Sequence, residues 1–357
     1  MTTSALNSAF FGIGLAAVIV LAGWVIKDSP SSISKRAAPV RVLENAETVF
    51  IEVKPGDNAA DIGRRLEAAG VIQDASSFSL LARATGAERG LAAGEYEFEQ
   101  GTSVVDALSR IRKGLTAARV VTIPEGLRIE EVAGLLERRG IVRGGDFLAA
   151  LGLLQATPAN GSSLLAARPP GAGLEGYVYP ATYSFSRRAT AGEVAAAMLR
   201  ALEERFTPEM REKARQLGLT PHEVITLASI IEREIVVPGE RPLVASVYLN
   251  RLRMGIALQA DPTVQYAVGP PPGTLGLLSY WKRELTAQDL QSQSPYNTYA
   301  RPGLPPGPIA NPGIDSILAV LNPAQTSFLY FVAKPDGSHA FSATFEEHQR
   351  NVQLYQR

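Results

Sequence analysis

An internal repeat limits what this chain can fold into. The segment PGDNAADIGRRLEAAGVI at residues 55–72 returns seventy positions later as EGLRIEEVAGLLERRGIV at residues 125–142. Each copy follows an alternating strand pattern, FIEVK or RVVTI, and continues with a glycine turn, an amphipathic helix and a glycine stop. The repeat therefore predicts two small α/β units, at residues 48–116 and at residues 117–172, the second of which includes a connection to the rest of the chain.

Composition narrows the classes of protein to which the chain can belong. Its 357 residues include 35 basic and 35 acidic side chains, so no net charge favours nucleic acid as a partner. Cysteine is absent, which excludes disulfides and Cys-ligated zinc. The three histidines have no HExxH spacing, and the chain has neither a Walker loop nor a GxSxG elbow. We therefore expect neither a metal nor a cofactor, and carboxylates are the best remaining candidates for catalysis.

An uncharged apolar run, AFFGIGLAAVIVLAGWVI, occupies residues 9–26. As a helix it would rise roughly 27 Å, which is close to the hydrocarbon thickness of a bilayer. The run predicts a single transmembrane helix after a short tail at residues 1–8, and the Ser-, Pro- and charge-rich residues 27–47 are typical of a tether. The nearest charged side chains follow the run, so the positive-inside rule alone leaves the orientation open.

A second, helix-rich domain is predicted at residues 173–357, beginning with the motif GLEGYVYPATYSF. Helical patterns at about 191–206, 221–236 and 239–254 are followed by loops rich in proline and glycine. The segment FLYFVAKPDGSHAFS predicts a hairpin that turns at Asp336 and Gly337, before a terminal helix. The predicted fold class is α+β, with an N-terminal transmembrane helix, a small α/β subdomain and a mixed helix-rich domain that ends in a β-hairpin.

Glu232 is the acid whose position is most unusual for a carboxylate. In the predicted helix TPHEVITLASIIEREIVV it projects from the same side as Ile225, Ala228 and Ile235. Removal of a carboxylate from water raises its pKa, which a group needs in order to donate a proton near neutral pH. Glu232 is therefore a candidate general acid, and the alternative is a structural glutamate satisfied by an arginine or by the backbone.

Polar and aromatic side chains are unusually frequent in the segments that follow this helix. Amides and hydroxyls that pair with sugar hydroxyls, beside rings that cover sugar faces, are the expected lining of a glycan cleft. Helix caps and ordinary loops are the alternative explanation for several of them. The candidate sugar-binding residues are Tyr248, Asn250, Arg251, Gln259, Asp261, Thr263, Tyr296, Asn297 and Tyr299.

Several of these segments, in this order, carry a family resemblance. The chain resembles the endolytic murein transglycosylase (YceG-like) family, and the similarity is most specific between residues 173 and 348. Two positions depart from the family pattern, because Ala181 stands where aspartate is usual and Gln349 where asparagine is common. The motifs that carry the resemblance are LASIIERE, ERPLVASVYLNRL, LQADPTVQYAVG, SPYNTY, GLPPGPIANPG and FLYFVA followed by GSHAFS.

The resemblance implies a location, a site and a reaction. It implies a single-pass protein of the cell inner membrane with a cytoplasmic tail, a LysM-like subdomain at residues 48–116 and a periplasmic lytic transglycosylase domain at residues 173–357. Glu232 corresponds to the family's catalytic glutamate, and the substrate would be the nascent glycan strand of peptidoglycan, cut between N-acetylmuramic acid and N-acetylglucosamine to give 1,6-anhydro ends. Peptidoglycan synthases and proteins of division or elongation would be partners.

Two other functions remain open from the residues alone. A muramidase, which hydrolyses the same bond, needs a second carboxylate, and Asp261, Glu234 or Glu240 could supply it. A non-catalytic membrane scaffold that binds peptidoglycan would use the same polar cleft only as a grip. The LysM-like unit likewise has an alternative role, as a packing module that spaces the enzyme from the membrane.

Overall fold

The computed structural model describes residues 48–156, 163–270, 281–282 and 284–356. Within these ranges the strands form two-stranded antiparallel sheets, and helices make up most of the remaining regular structure. The strands are β1 (Thr48–Val53), β2 (Gly94–Glu99), β3 (Arg119–Thr122), β4 (Thr182–Phe185), β5 (Tyr330–Ala333) and β6 (His339–Ser342). The helices are α1 (Ala59–Ala68), α2 (Ala75–Ala84), α3 (Val104–Arg112), α4 (Ile129–Arg138), α5 (Gly144–Ala156), α6 (Ser163–Ala166), α7 (Ala191–Arg205), α8 (Pro208–Gln216), α9 (Pro221–Glu234), α10 (Arg241–Arg253), α11 (Asp261–Val268), α12 (Ala287–Leu290), α13 (Ile314–Leu321) and α14 (Phe345–Tyr355). This is the mixed, helix-rich α+β fold that the sequence predicts.

Both repeat copies adopt the predicted order of strand, turn and helix. In the first copy β1 leads into α1, and in the second β3 leads into α4. Each helix is followed by a glycine in the left-handed region, Gly70 with φ of 71° and Gly140 with φ of 64°. Glycine adopts this conformation without the steric cost that a side chain brings, so it ends both helices. The repeat is therefore a structural repeat as well as a sequence repeat.

The two strands of the repeat pair with different partners. Strand β1 pairs with β2 inside the first unit, whereas β3 pairs with β4, which lies beyond the predicted boundary at residues 172 and 173. The predicted domain limits remain predictions. The pairing of β3 with β4 nevertheless connects the second repeat copy directly to the helix-rich part of the chain.

Two separate hydrophobic cores support these parts. The first joins buried side chains of β1, α1, α2, β2 and α3, among them Leu66, Phe78 and Phe98. The second is larger and extends along the chain from Val121 to Leu321. Because burial of apolar surface is the main driving force of folding, the first core supports residues 48–116 without apolar residues from the second.

Helix α9 lies at the centre of the larger core. Thr220 caps its N-terminus in a reciprocal pair with Glu223. Every residue from Val224 to Ile231 is buried, and helices α10 and α13 pack against this helix. A helix that is apolar all round is stable only when it is covered on all sides. The helix ends at Glu234, two residues before the predicted limit, because Ile235 takes an extended conformation with ψ of 129°.

The C-terminal hairpin is confirmed. Strands β5 and β6 pair antiparallel, with Tyr330 opposite Ser342 and Ala333 opposite His339. Asp336 accepts hydrogen bonds from Ser338 within the connecting turn. Helix α14 follows and packs against both strands.

The predicted localisation is contradicted by the helices of the described residues. None of them is long and apolar enough to cross a membrane. Helix α7, with 15 residues, would rise roughly 22 Å, which is short of the hydrocarbon thickness of a bilayer. This finding corrects the expectation of a single-pass inner-membrane protein with a periplasmic catalytic domain. The predicted tail, transmembrane helix and tether, residues 1–8, 9–26 and 27–47, lie outside the described residues.

Gly176 is a position where the fold depends on the absence of a side chain. Its φ is 84°, and a Cβ atom there would lie 2.4 Å from Cβ of Pro308 and 3.1 Å from a methyl group of Ile225. We expect Gly176→Ala to lower the free energy of unfolding by about 3 kcal/mol, because backbone strain and overlap add. Chemical denaturation measures this change.

Gly171→Ala is the matched control. Gly171 has a similar φ of 81°, but nothing lies within 4 Å of its added Cβ. This variant should lose only about 1 kcal/mol, the cost of the left-handed conformation. Equal losses in the two variants would show that the contact with Pro308 contributes nothing.

Candidate active site

Glu232 lies in the last turn of α9, and its side chain is only 8% exposed. Its Oε2 atom accepts a hydrogen bond from the Gly313 backbone N–H at 3.1 Å and another from the Ser316 hydroxyl at 2.7 Å. Its Oε1 atom lies 3.6 Å from a guanidinium nitrogen of Arg241. Groups at the starts of α10 and α13 therefore hold this carboxyl group in place.

The surroundings of Glu232 differ from the apolar sector that the helical pattern predicts. Ile225 and Ala228, which share its side of the helix, are fully buried as expected. The carboxyl group itself extends past them to hydrogen-bond donors and to Arg241, whose Nε also donates to Ser316 at 3.1 Å. Donors and a cation stabilise the charged form of a carboxylate, whereas an apolar pocket disfavours it. Helical periodicity could not reveal these partners, since Arg241 belongs to the next helix and Gly313 and Ser316 lie 81 and 84 residues further along the chain.

Glu125 is a second carboxyl group in this site, and the sequence reasoning missed it. A Cβ atom on Gly313 would lie 2.0 Å from Oε1 of Glu125 and 2.5 Å from Oε2, so the carboxyl group packs against the Gly313 backbone. Burial raises the pKa of Glu125, and the charge of Glu232 raises it further. The repeat held a signal, because Glu125 occupies the turn position at which the first copy has Pro55.

Backbone pairing with Asn311 holds the Glu125 segment against the α13 segment. The Gly126 N–H donates to the Asn311 carbonyl at 2.8 Å, and the Asn311 N–H donates to the Leu127 carbonyl at 2.9 Å. The Asn311 side chain donates to the same Leu127 carbonyl at 2.8 Å and accepts from the Val178 N–H at 3.0 Å. Glu125 directly precedes one of the paired segments, and Gly313 lies two residues beyond Asn311. The pairing therefore sets the position of one carboxyl group relative to the other.

A stack of two arginines on one indole supports the same segment from the other side. The guanidinium of Arg128 lies 4.0 Å from the ring centre of Trp281, and that of Arg233 lies 4.1 Å from it. The indole N–H donates to Glu131 at 3.2 Å. Cations over an indole face are attracted by its quadrupole. The stack therefore joins the start of α4 to the end of α9, next to Glu232.

Glu175 is a buried acid that supports the start of α4. It accepts hydrogen bonds from the Ile129 N–H, which is at the start of α4, and from the Asn311 side chain, each at 3.2 Å. Burial raises the pKa of Glu175 to about 8, and the charge of Glu130 contributes in the same direction. This carboxyl group is therefore largely protonated at neutral pH, and it fixes the entry to α4 beside Asn311.

Several predicted sugar-binding residues are engaged inside the fold. The Asn250 side-chain amide donates to the carbonyls of Thr326 and Phe328, and the Asn297 amide donates to two carbonyls at and just after the end of α12. Arg251 is 8% exposed and donates to the backbone oxygens of the loop before α11. Thr263 is fully buried. These four residues hold loops in place. The side-chain amides that were predicted to contact sugar donate hydrogen bonds to backbone carbonyls.

Other predicted lining residues remain accessible. Gln259 and Asp261 are exposed, and Tyr296 and Tyr299 are half-buried. Gln259 has φ of 53°, a strained value for a residue with a side chain, and Asp261 accepts a hydrogen bond from the Tyr299 hydroxyl at 2.6 Å. Strained backbone is concentrated at functional sites. Within the described ranges, no predicted sugar-binding side chain is hydrogen-bonded or ion-paired to Glu232.

The second carboxylates considered for a muramidase have partners of their own. Glu234 accepts a hydrogen bond from the hydroxyl of the buried Tyr248 at 2.8 Å, and burial raises the pKa of Glu234 to about 7. Glu240 lies 2.7 Å from the ring of His339, and Asp261 pairs with Tyr299. Glu125, rather than any of these three, is the carboxyl group that shares Gly313 with Glu232.

The fold and the site define a helix-rich α+β protein with two carboxyl groups beside a half-buried arginine. The sequence model of the YceG-like family matches residues 51–354 of this chain. The chain therefore belongs to the YceG-like family. The resemblance read from its motifs is confirmed.

Curated relatives and a solved structure agree with this assignment. The endolytic murein transglycosylase of Bacillus subtilis is 31% identical over 321 residues, which cover 87% of this chain and 86% of that protein. That of Streptococcus pneumoniae is 32% identical over 328 residues, covering 85% of this chain and 58% of the relative. A crystal structure of a putative yceG-like protein from Listeria monocytogenes is 32% identical, with a TM-score of 0.56, and the match covers 86% of this chain and 99% of that one.

The raised pKa of Glu175 predicts a pH dependence of stability. Its pKa is about 8 in the folded protein against an ordinary 4.5, so between these values the folded state binds more protons than the unfolded state. The stabilisation is complete below the ordinary pKa and is lost as pH rises through the folded one. We expect the melting temperature of Glu175→Gln to fall less steeply from about pH 5 to about pH 8 than that of the wild type.

Thermal unfolding of both proteins across this range measures the slopes. Glutamine has nearly the same shape and can still accept the Ile129 hydrogen bond, so the variant removes mainly the titration. Parallel curves for the two proteins would contradict a raised pKa at this position.

Proposed function

We propose that this chain is an endolytic murein transglycosylase, which cleaves peptidoglycan strands between N-acetylmuramic acid and N-acetylglucosamine. The observation that carries the proposal is the Glu232 carboxyl group, held by Arg241, Ser316 and the Gly313 N–H in a chain whose relatives have this name. Glycosidic bonds are cleaved by carboxyl groups that exchange protons with the oxygens of the scissile bond. Glu232 is our candidate for this exchange.

The reaction has two proton transfers and consumes no water. In its simplest form Glu232 does both: it protonates the oxygen that joins C1 of N-acetylmuramic acid to C4 of N-acetylglucosamine, and the C1–O bond breaks with its electron pair on that oxygen. The Glu232 carboxylate then takes the proton of the muramic acid 6-hydroxyl as this oxygen bonds to C1. The products are a 1,6-anhydro end and a free 4-hydroxyl group.

A surface cleft next to Arg241 is the candidate site for the substrate. The cleft has a volume of about 490 Å³, and its lining includes Arg241 and Asp315. Arg241 contacts Glu232, so the cleft adjoins the proposed reacting group. We propose that it accepts the interior of a nascent glycan strand, and that the synthases which make these strands are partners. Cutting there would end strand elongation.

A muramidase is the second candidate, and Glu125 is the observation that favours it. Hydrolysis requires one carboxyl group to protonate the leaving oxygen and another to activate water or to attack C1. Glu125 and Glu232 both lie against Gly313, so two carboxyl groups are present. The chemistry of the product ends separates hydrolysis from the anhydro reaction.

Glu232→Gln tests the proposal directly. The amide keeps the shape of the side chain but cannot exchange the proton, so we expect strand cleavage to fall by about 100-fold or more. Mass spectrometry of digested peptidoglycan strands should find 1,6-anhydro-muramyl ends with the wild type alone. Glu234→Gln is the matched control, since Glu234 is on the same helix and faces Tyr248 instead. This control should retain cleavage.

Each other result has a definite meaning. Reducing ends that carry oxygen from isotope-labelled water would identify a muramidase. Binding to strands without any cleavage by the wild type would identify a non-catalytic scaffold. Normal activity of Glu232→Gln would refute Glu232 as the proton-transfer group.

We also propose that residues 48–116 form a LysM-like unit that binds glycan. Its separate core and its order of strand, helix, helix and strand support this. A cleft of about 490 Å³ on this unit is lined by polar and apolar side chains, including Glu97, Arg110 and Leu115. Such a mixture suits a sugar, which has polar edges and apolar faces.

Leu115→Asp tests glycan binding by this unit. Leu115 is 59% exposed in the cleft, and a charge there should disrupt contact with a sugar face. We expect the change, made in the Glu232→Gln protein, to lower retention on sedimented peptidoglycan several-fold, while Leu80→Asp has no effect. Leu80 is 68% exposed and does not line the cleft. Equal retention of both variants would indicate a spacer instead.

A further inference from the structure

Gly313 brings the two carboxyl groups of the site together. Its N–H donates to Glu232, and its Cα face is covered by the carboxyl group of Glu125. The φ of Gly313 is −73°, which any residue can adopt, so its backbone conformation does not require glycine. The available space does require glycine, because a Cβ atom at this position would overlap both carboxyl oxygens of Glu125. The absence of a side chain at this position thus makes room for Glu125.

The two carboxyl groups have unequal surroundings. Glu232 accepts hydrogen bonds from two donors, and its Oε1 atom lies 3.6 Å from the guanidinium of Arg241. No hydrogen-bond donor among the described residues contacts the carboxyl group of Glu125. Glu125 is exposed as a residue, but partial desolvation of its carboxyl group and the charges of Glu232 and Asp315 raise its pKa, whereas the charge of Arg241 lowers it. Both carboxyl groups lie against Gly313, and a proton shared between neighbouring carboxyl groups is held by the one with fewer hydrogen-bond donors to its oxygens.

We propose that Glu125 is a second catalytic residue, which holds the proton of the pair in the resting enzyme and donates it to the leaving oxygen of the glycosidic bond. This inference rests on the proposed function and divides its two proton transfers between two groups. Glu125 takes the first transfer, and Glu232 keeps the second as the base that receives the proton of the 6-hydroxyl group.

The division conserves every proton and electron pair. The proton of Glu125 moves to the oxygen on C4 of N-acetylglucosamine, which keeps the electron pair of the broken C1–O bond. The 6-oxygen bonds to C1 and releases its proton to Glu232. After product release Glu232 carries a proton and Glu125 does not, and transfer of that proton from Glu232 to Glu125 restores the resting state.

If Glu125 donates the first proton, the effect of its loss on kcat should depend on the leaving group. A nitrophenolate leaves without being protonated, so a general acid contributes little when C1 of N-acetylmuramic acid carries nitrophenol. We expect Glu125→Gln to lower kcat on glycan strands by about 100-fold or more, but to lower kcat on the nitrophenyl muramic acid glycoside by less than about 10-fold. Glu232→Gln should lose activity on both substrates, because each still needs the base.

The pH profile gives a second readout. Glu125 acts in its protonated form, so wild-type kcat on strands should fall as pH rises through the raised pKa of Glu125. This alkaline fall should be absent from Glu125→Gln. Glu130→Gln is the matched control, because Glu130 is, like Glu125, an exposed acid of the same segment but is not among the charges that shift the pKa of Glu125. We expect this control to keep the wild-type profile and kcat.

A second variant tests the role of Glu125 in case Glu125→Gln does not fold. Gly313→Ala leaves the Glu125 side chain intact but displaces it by overlap. It should lower kcat on strands as Glu125→Gln does. Thermal unfolding of each variant checks that the fold is retained.

The outcomes separate this inference from the proposed function. If folded Glu125→Gln kept the kcat of the wild type on strands, Glu125 would not be the acid. Equal loss of activity on strands and on the nitrophenyl glycoside would have the same meaning. Neither result would affect the proposed function if the wild type makes anhydro ends and Glu232→Gln does not. Water-derived ends together with selective loss in Glu125→Gln would refute the transglycosylase but support Glu125 as the acid.

Discussion

The pairing of Asn311 with Gly126 and Leu127 is the interaction on which the geometry of the site depends. It joins segments 184 residues apart through backbone and side-chain hydrogen bonds. Glu125 precedes one segment and Gly313 follows the other, so the pairing decides whether the carboxyl groups meet. Buried backbone groups are costly when unpaired, which makes an asparagine that satisfies several of them an effective clamp. Glu175 reinforces this clamp by accepting a hydrogen bond from the same side chain.

The end of helix α9 illustrates how one helix serves several purposes. Its interior is buried all round and fixes the helix axis within the core. At its last turn Glu232 meets Arg241, Arg233 stacks on Trp281, and Glu234 bonds to Tyr248. Successive residues of a helix point about 100° apart, so three consecutive charged side chains reach three different environments. Of these environments, that of Glu232 includes Arg241, which lines a cleft, and Gly313, which also contacts Glu125.

The sequence was most informative where structure follows from local rules. Alternation and turn residues predicted the hairpin of β5 and β6, and apolar periodicity predicted α7, α9 and α10 with ends correct to about two residues. The same periodicity selected Glu232. It gave no reason to select Glu125, which lies in a short turn without any periodic pattern. Asn250 and Asn297 were predicted to bind sugar because amides suit sugar hydroxyls, but amides suit backbone carbonyls equally well.

Sequence by itself determined the α+β class, the structural repeat, the central helix and the family to which the chain belongs. These depend on spacing and on short motifs, which are properties of neighbouring residues. Only the tertiary structure decided that Arg241 faces Glu232, that Glu125 packs on Gly313 and that Glu175 is buried. Arg241 belongs to the helix that follows Glu232, whereas Glu125 and Gly313 come from distant parts of the chain. The balance of burial and charge that sets a carboxyl group's chemistry arises only when such segments are brought together.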